Sequence, residues 1–322
     1  MRRYKKIHVR KKPRLAHRKR RSGKLLMDRI RNVVLLIVLA VAIAVALTLL
    51  AKGTLFRDVL PEDGATFLYF PVGQANCAVI RSVEGNVMID TGAIASEEDL
   101  LSLLSYYEID TVDLLILTHA DEDHTGGLTV LLREISVKRI MMTAGAYETL
   151  MATRTGRQLE RALESGETAV EAAETGTETA VGEIVIAVLA PPHESEEIGQ
   201  SDNASSLITY IRYGETEAIF PGDADFLGEE RAVSVLEARF PDAECDLLSV
   251  GHHGSKTSSS DVFLSYLSPK YAIISCGLDN SYGHPSVDVL DRLSAVGATV
   301  CRTDLEGTVI FHTDGTVLTR LR

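Results

Sequence analysis

The sequence contains no tryptophan, and its aromatic content is only 6%. Few rings are therefore present to stack nucleic-acid bases. The sequence also lacks a Cys-x-x-Cys pair and a glycine-rich phosphate loop. It thus offers no motif for a cysteine-ligated zinc site or for a loop that cradles phosphates.

The four cysteines are far apart in the chain: Cys77, Cys245, Cys276 and Cys301. An exported domain would permit disulfides. However, no two cysteines are closely spaced, and most fall on predicted strands. We interpret them as small buried side chains.

Acidic residues are almost absent from the N-terminus and dominate the rest of the chain. Residues 1–31 contain 15 of the 33 lysines and arginines and one acid, Asp28. Apart from Lys52, the remaining residues, 53–322, contain 17 bases and 44 acids, a net charge of −27. The overall charge of −12 therefore divides into a basic tail, residues 1–31, and a strongly anionic body.

A long apolar run joins the tail to the body. Val33 to Ala51 is nineteen residues, interrupted in polarity only by Thr48. A helix of this length spans about 28 Å, close to one bilayer core. We therefore expect a transmembrane helix over residues 32–52, with the lipid bilayer as the partner of residues 33–51. A signal peptide is the alternative, but its apolar core is usually shorter, about 7 to 15 residues, and no clear cleavage site follows.

The charge distribution predicts an orientation for this span. Basic residues remain on the cytoplasmic side of membranes, which would place the body outside the cytoplasm. We expect a single-pass protein of the cell membrane with a cytoplasmic N-terminus. The tail could also bind anionic lipid or nucleic acid. Residues 53–64 are interpreted as a linker, and residues 65–322 as an extracytoplasmic domain.

Short apolar runs predict β-strands at the start of the domain. The predicted strands of this meander are 66–72, 77–82 and 86–90. Strands and helices then alternate, with helices predicted over 97–107 and 126–135. Residues 165–182 are acidic and rich in Thr and Ala. This segment could form either a flexible insertion or a pair of polar strands. The sequence by itself supports a mixed α/β domain.

A cluster of ionisable residues follows the apolar strand predicted over 112–117. It consists of His119, Asp121, Asp123 and His124. Because a strand-to-helix turn can aim several side chains at one point, this arrangement indicates a metal site. The alternative is that these residues are ordinary turn and cap residues.

Three later predicted strands also end in Asp or His. Asp223 follows the first, His252 and His253 follow the second, and His284 follows the third. Histidines in glycine-rich loops after strands seldom serve packing. The strand ends therefore repeatedly carry residues of the metal-ligand type.

The segment His119-x-Asp121-x-Asp123-His124, followed by Gly126-Gly127, resembles the signature of the metallo-β-lactamase superfamily. It matches the variant whose second histidine is an aspartate, as in the extracytoplasmic hydrolase domains of ComEC-like DNA-uptake proteins. The likeness extends from about Ala65 to the C-terminus. The other motifs that carry it are Val72-Gly73-Gln74, Ile89-Asp90-Thr91-Gly92, Pro221-Gly222-Asp223, His252-His253-Gly254-Ser255 and Tyr282-Gly283-His284-Pro285.

The resemblance implies a fold and a set of ligands. The fold is an αββα sandwich, two mixed sheets face to face with helices outside. The cofactors are two divalent ions, Zn²⁺ or Mn²⁺, which lower the pKa of a bound water toward about 7. One ion would be held by His119, Asp121 and Asp223, and the other by Asp123, His124, Asp223 and His284.

The resemblance also implies further roles. Asp123, His252 and His253 form the expected catalytic set, in which His252 or His253 donates a proton to the leaving group. Asp90 is expected to orient ligands from beneath the metal loop.

One family histidine, expected between His124 and Asp223, has no clear counterpart. The only histidine in that interval is His193. Asn203 resembles the asparagine that ComEC-like domains show in this region, and we expect it beside the site. A site with fewer imidazole ligands and more oxygen ligands is a harder donor set in the sense of hard and soft acids and bases. Manganese therefore competes with zinc for this site.

Three functions are compatible with these features. They are a phosphodiesterase or nuclease acting on DNA, a metallohydrolase of a lactone, thioester or other small molecule, and an inactive tethered binding module. The near-complete ligand set argues against the third. A body of charge −27 repels polyanions, so tight binding of long duplex requires a local basic groove. Lys256, Lys270 and Arg302 are candidates for that groove, and no protein partner is indicated.

Overall fold

The computed structural model describes residues 27, 29–44, 58–190 and 202–322. The chain divides into two units, residues 1–59 and 60–322. In the first unit, residues 29–44 form helix α1, whose side chains are exposed. Among the described residues, no helix combines the length and the apolarity needed to cross a membrane. The predicted tail up to residue 26, residues 45–52 of the predicted span and residues 53–57 of the predicted linker lie outside the described residues.

The second unit is built from two large β-sheets and one small one. The strands are β1 (Ala65–Tyr69), β2 (Ala78–Ser82), β3 (Gly85–Ile89), β4 (Thr111–Val112), β5 (Leu114–Ile116), β6 (Ser136–Val137), β7 (Arg139–Met142), β8 (Ala169–Ala172), β9 (Glu178–Val181), β10 (Ile184–Ala190), β11 (Ile208–Tyr213), β12 (Thr216–Phe220), β13 (Leu247–Ser249), β14 (Tyr271–Ile274), β15 (Thr299–Arg302), β16 (Val309–Thr313) and β17 (Leu318–Arg320). The first large sheet has the order β17-β16-β1-β2-β3-β5-β7-β8, and the second has the order β15-β14-β13-β12-β11-β10-β9. Strands β4 and β6 form the small sheet.

The described part of the second unit also contains nine α-helices. They are α2 (Glu97–Tyr106), α3 (Glu122–Thr125), α4 (Leu128–Glu134), α5 (Ala144–Met151), α6 (Arg154–Ser165), α7 (Phe226–Arg239), α8 (Asp261–Leu267), α9 (Val287–Ala295) and α10 (Thr303–Glu306). Apolar residues of α2, α4, α5 and α6 pack on the first sheet, and those of α7, α8 and α9 pack on the second. A third apolar cluster lies between the two sheets. The layers therefore follow the αββα order that the resemblance implies.

Strand β3 shows how the sequence sets these layers. Its residues Val87 and Ile89 face the core between the sheets, whereas Met88 packs against the helices on the other side. Successive side chains of a strand point to opposite faces, so a strand covered on both sides is apolar at every position. The residues at the centre of this strand are buried accordingly.

The acidic stretch 165–182 forms strands that belong to different sheets. Strand β8 lies at the edge of the first sheet, parallel to β7, and β9 lies at the edge of the second sheet, antiparallel to β10. Of the two alternatives for this stretch, strands are therefore present, but they do not pair with each other. The half-exposed burial pattern of β8 and β9 explains their polar sequences.

The direction of the strands brings several loops to one edge of the sandwich. Strands β3, β5 and β7 are parallel neighbours in the first sheet, and β12, β13, β14 and β15 are parallel neighbours in the second. The carboxyl ends of parallel strands lie at a common edge, where loops bind ligands.

All four cysteines are buried and free, as the sequence predicts.

Candidate metal centre

The predicted ligands, and Asp90, which was predicted to orient them, follow the carboxyl ends of strands at this edge. Asp90 follows β3, and the segment 119–124 follows β5. In the second sheet, Asp223 follows β12 and the histidine pair follows β13. Asp123 and His124 lie inside the short helix α3, which begins four residues before the helix start predicted at Gly126. This early helical turn directs both side chains towards the second sheet.

Four side chains converge on one point. Ligand-type atoms of Asp123, His124, Asp223 and His253 all lie within 4.8 Å of one another. Three of these side chains are buried, and Asp123 is half-buried. Two carboxylates and two imidazoles at this spacing are a donor set for a divalent cation.

Asp90 fixes the orientation of His124. Its Oδ2 lies 2.7 Å from His124 Nδ1, and its Oδ1 accepts a hydrogen bond from the backbone N–H of Thr118 at 2.8 Å. The Thr118 hydroxyl donates to the same carboxylate and lies 3.1 Å from His119 Nδ1. Because the hydroxyl donates its single proton to Asp90, it accepts from His119. The Nδ1 atoms of His119 and His124 therefore both carry protons, so in each neutral imidazole the lone pair is on Nε2 and available to a cation.

His253 is oriented in the same way by a backbone group. Its Nδ1 lies 2.9 Å from the carbonyl oxygen of Ser275, which can only accept. Its Nε2 faces Oδ2 of Asp123 at 3.2 Å. A hydrogen bond at Nδ1 of this kind typically accompanies a histidine that ligates metal through Nε2.

The buried polar atoms of the site fit a cation. His119 Nε2, His124 Nε2 and Asp223 Oδ1 are buried without a hydrogen-bond partner. His124 Nε2 and Asp223 Oδ1 lie 3.2 Å apart, so a lone pair faces a carboxylate oxygen. Each such unsatisfied atom costs about 1–3 kcal/mol. A divalent cation would bind these donors together and remove that cost, so the residues present fit the group.

The electrostatics of the site favour positive charge. Burial alone would lower the pKa of His124, yet the carboxylates of Asp223 and Asp90 hold it well above its usual value. Burial alone would raise the pKa of Asp223, yet the surrounding histidines, His124 first, hold it well below its usual range. Burial would also raise the pKa of Asp123, and the hydrogen bond with His253 lowers it. A proton would bind to a single nitrogen of the site, whereas a divalent cation would bind to several of these nitrogen and oxygen atoms at once.

His119 and Asp121 lie beside the four-residue cluster. The ring centroids of His119 and His124 are 4.1 Å apart, and His119 Nε2 is 3.5 Å from Asp121 Oδ2. His119 is buried, whereas the Asp121 side chain is 42% exposed. These two residues could close around a second cation together with Asp223, as the resemblance implies.

His252 lies at the open side of the centre. Its side chain is 27% exposed, and its Nε2 is 3.5 Å from Asp223 Oδ2. Asn203 Nδ2 lies 3.4 Å from the same nitrogen, so Asn203 is beside the site as predicted from the sequence. Burial lowers the pKa of His252 from its ordinary value. The structure describes no part of residues 191–201, which include His193.

His284 is separate from the four-residue cluster. Gln74 Oε1 accepts the backbone N–H of Gly277 at 3.0 Å, which directs the Gln74 amide nitrogen at His284 Nδ1, 3.3 Å away. An amide nitrogen can only donate, so His284 accepts at Nδ1 and carries its proton on Nε2. That tautomer is a hydrogen-bond donor rather than a ligand. In the ligand set predicted for one ion, His253 thus takes the place that the resemblance gives to His284.

The loop after the histidine pair is held by residues that the sequence did not single out. Glu229, fully buried on α7, accepts the backbone N–H groups of Ser259 and Ser260. Arg292 donates to the carbonyl oxygens of Ser258 and Ser259. Burial raises the pKa of Glu229 to about 7. No local motif marks Glu229, because its partners lie about 30 residues further along the chain.

The three residues named as candidates for a basic groove lie in different surroundings. Arg302 is paired with Asp304 at 2.6 Å, and Lys270 precedes β14 at the edge opposite the site. Lys256, which is exposed, lies in the loop that follows the histidine pair. Lys256, in the loop after β13, and Arg302, at the end of β15, are therefore at the edge of the second sheet that carries the site, whereas Lys270 is not.

Comparisons with known proteins agree with the fold. The family model described as the metallo-beta-lactamase superfamily matches residues 70–278. ComE operon protein 3 of Bacillus subtilis is 34% identical over 244 residues, which cover 71% of this chain and 30% of the relative. Competence protein ComA of Neisseria gonorrhoeae is 30% identical over 268 residues, which cover 83% of this chain and 35% of the relative. The chain thus spans about a third of the length of these relatives.

A solved structure shows the same architecture. The metallo-beta-lactamase fold protein YhfI from Bacillus subtilis aligns with a TM-score of 0.50 at 13% identity, covering 77% of this chain and all of that protein. This likeness concerns the fold alone. Together with the family model and the converging donors, it identifies the chain as a member of the metallo-β-lactamase superfamily and as one of its metal-dependent hydrolases.

Proposed function

We propose that this protein is a membrane-anchored phosphodiesterase whose catalytic domain acts outside the cytoplasm. The observation that carries the hydrolytic part is the convergence of Asp123, His124, Asp223 and His253 within 4.8 Å. One relative is named a competence protein, which favours a nucleic-acid substrate over other phosphodiesters.

The proposed cofactors are two divalent cations, zinc or manganese. Asp123, His124, Asp223 and His253 would hold one, and His119, Asp121 and Asp223 would hold the other. When bound, such ions supply a water of lowered pKa and neutralise developing negative charge. The two carboxylates of the first set make it harder than an all-imidazole site, which keeps manganese in competition with zinc.

The protein's own residues would have separate roles in this reaction. Asp90, Thr118 and the Ser275 carbonyl hold three imidazoles in the tautomer that leaves Nε2 free. His252 is the partly exposed histidine beside Asp223, so it can exchange a proton with solvent and transfer it to the leaving oxygen. His284, protonated on Nε2, would donate a hydrogen bond to a non-bridging phosphate oxygen.

The acidic body supports a restriction on substrate length. Residues 53–322 carry a net charge of −27, from 17 bases and 44 acids. Such a surface repels a long duplex. We therefore propose that short or single-stranded substrates are favoured. The same charge favours the alternative function, hydrolysis of a lactone, thioester or similar small molecule, because such substrates carry few charges.

One experiment distinguishes these two functions. The full-length protein, loaded in turn with zinc and manganese, is analysed for metal content and assayed on a panel. The panel contains an aryl phosphodiester, single-stranded and duplex oligonucleotides, a lactone and a thioester. We expect up to two ions per chain and manganese-stimulated cleavage of the phosphodiester and the single strand. Turnover of the lactone or thioester, without cleavage of any phosphodiester, would establish the alternative.

The proposed location rests on the N-terminal sequence. The apolar run from Val33 to Ala51 follows a tail with 15 basic residues and one acid in residues 1–31. This order favours a cytoplasmic tail and an external body. Protease added to intact cells should release the body, with an intact cytoplasmic protein as the control. Protection of the body until lysis would reverse the topology.

A further inference from the structure

Tyr282 has an unusually exposed ring for this protein. Its relative exposure is 71%, whereas Phe226, another exposed ring in the described chain, is exposed by 44%. The guanidinium of Arg292 lies over the Phe226 ring, 5.7 Å from its centroid. Tyr282 therefore offers a large aromatic surface to solvent. Exposing it forgoes the stabilisation that burial of a ring normally provides.

The loop that carries Tyr282 is held in place by a single side chain. Asn280 Oδ1 accepts the backbone N–H groups of Tyr282 and His284, at 3.2 and 3.0 Å. Asn280 Nδ2 donates to the carbonyl oxygens of Gly277 and His284. Four hydrogen bonds thus fix the backbone on both sides of the ring. A residue whose backbone is already fixed loses less conformational entropy on binding than one on a mobile loop.

The ring is continuous with the candidate metal centre. Tyr282 stacks on His284 with centroids 5.7 Å apart and an interplanar angle of 28°. The His284 ring is 5.8 Å from that of His252, which in turn approaches Asp223 to 3.5 Å. Tyr282 is therefore linked to Asp223 through the rings of His284 and His252, and it lies on the side of the centre where His252 is partly exposed.

The surface charge makes stacking the suitable mode of recognition. An acidic body gains little from contacts with phosphates, whereas stacking on an aromatic ring carries no charge penalty. We propose that Tyr282 is a stacking platform for a nucleobase next to the phosphodiester that is cleaved. This inference rests on the proposed phosphodiesterase function and narrows its substrates to those with a planar base beside the reacting phosphate.

The kinetic test uses two substrates and three variants of the full-length protein. One substrate is a dinucleotide, and the other is the same dinucleotide with an abasic sugar at one position. For Tyr282→Ala, we expect KM for the dinucleotide to rise on the order of tenfold, from the usual strength of base stacking, with a smaller change in kcat. KM for the abasic substrate should change by about tenfold less than KM for the dinucleotide, because the missing base cannot stack. Tyr282→Phe should restore the wild-type values, because a phenyl ring also stacks.

Leu278→Ala is the matched control, since Leu278 is an exposed apolar residue of the same loop, with 66% exposure. It should leave the preference for the base-bearing substrate in place. Equal losses of Tyr282→Ala on both substrates would overturn the stacking role and indicate that the ring merely positions His284. Failure of Tyr282→Phe to restore KM would also overturn it.

A binding measurement separates this proposal from the proposed function. Calorimetry compares a nucleoside 5′-monophosphate with deoxyribose 5-phosphate, and it needs no turnover. Tighter binding of the nucleotide that is lost in Tyr282→Ala supports the platform even if no phosphodiester is cleaved. Equal affinity of the wild-type protein for both compounds would overturn the platform, and phosphodiester cleavage in the same preparation would leave the proposed function standing.

Discussion

Asp90 Oδ2 and His124 Nδ1 lie 2.7 Å apart, and both side chains are completely buried. Asp90 has a left-handed backbone, with φ of 57°. Residues other than glycine adopt this region infrequently, although Asp tolerates it better than most. The conformation turns the carboxylate back towards the end of β5, where it meets Thr118 and His124. This contact predetermines which nitrogen of His124 faces the centre.

Asp90→Asn should weaken cation binding without abolishing it. The Asn amide group cannot accept all the hydrogen bonds of the carboxylate, so His124 loses its fixed tautomer. Comparable losses at residues that orient ligands amount to about 10- to 100-fold in metal affinity. Competitive titration with a chelator measures the change. Asp113→Asn is the matched control, because Asp113 also accepts a backbone N–H, that of Asn86, at the start of a strand away from the site. Equal metal affinity of Asp90→Asn and wild type would contradict the orienting role.

Asp223→Ala should lower the number of bound cations and leave the fold intact. Asp223 is the carboxylate that approaches His124, His252 and His253, at 3.2, 3.5 and 3.9 Å. Elemental analysis of the dialysed protein gives the stoichiometry, and circular dichroism reports the fold.

Asp225→Ala controls for this substitution, since Asp225 caps α7 through the backbone N–H groups of Leu227 and Gly228. Losing the cap should cost about 1 kcal/mol of stability. The cation content should stay at the wild-type level. Full metal content in Asp223→Ala would remove Asp223 from the centre.

Alanine at His252 and at His253 should have different effects. His253 belongs to the buried cluster, so His253→Ala should reduce both cation content and turnover. His252 is partly exposed and outside that group, so His252→Ala should retain metal and lose turnover by about 10²- to 10⁴-fold, the usual contribution of a general acid. Metal analysis and single-turnover kinetics on the same preparations separate the two. Loss of metal in His252→Ala would make it a ligand instead.

Glu229 should make stability depend on pH in the opposite sense to a salt-bridged carboxylate. Burial raises its pKa in the folded protein to about 7, whereas a glutamate in an unfolded chain has a pKa of about 4.3. Between these two values the unfolded chain loses a proton that the folded protein keeps. The stability contributed by Glu229 is therefore fully present below about pH 4.3 and falls until about pH 7.

The measurement is chemical denaturation of wild type and Glu229→Gln across this range. Relative to the variant, the free energy of unfolding of wild type should fall by up to about 3 kcal/mol between pH 4.5 and pH 7.5. Glu230→Gln, at the exposed neighbouring position on α7, is the control. A rise with pH, or a fall of equal size in the control, would contradict the assignment to Glu229.

The sequence predicted which strand ends carry ligand-type residues, because alternating apolar runs locate strands and polar residues directly after them stand out. The resemblance assigned His284 to the ligand set and His253 to proton transfer, and the sequence offered no signal against this choice, since both histidines follow neighbouring strands of the second sheet. Their placement depends on the left-handed backbone of His252 and His253 and on the contact of Gln74 with His284. Both features arise from contacts between segments distant in sequence, which local patterns do not encode.

The contacts that orient the site were hidden for a similar reason. The acceptor for His253 is the backbone carbonyl of Ser275, which every residue possesses. Glu229 lies on helix α7, where a glutamate is ordinarily solvated. The resemblance supplied the layering of the sandwich, whereas the placement of β8 and β9 in separate sheets required the structure.

The direction of the first strand determines the side of the sandwich at which the polypeptide arrives. Strand β1 is antiparallel to β2, which is antiparallel to β3, so β1 runs in the same direction as β3 and β5. Ala65 therefore lies at the edge opposite the loops that carry the donors. The segment that leads into β1 therefore enters the sandwich at the edge away from the candidate metal centre, so a substrate reaches the centre from the side on which β1 ends rather than the side on which it starts.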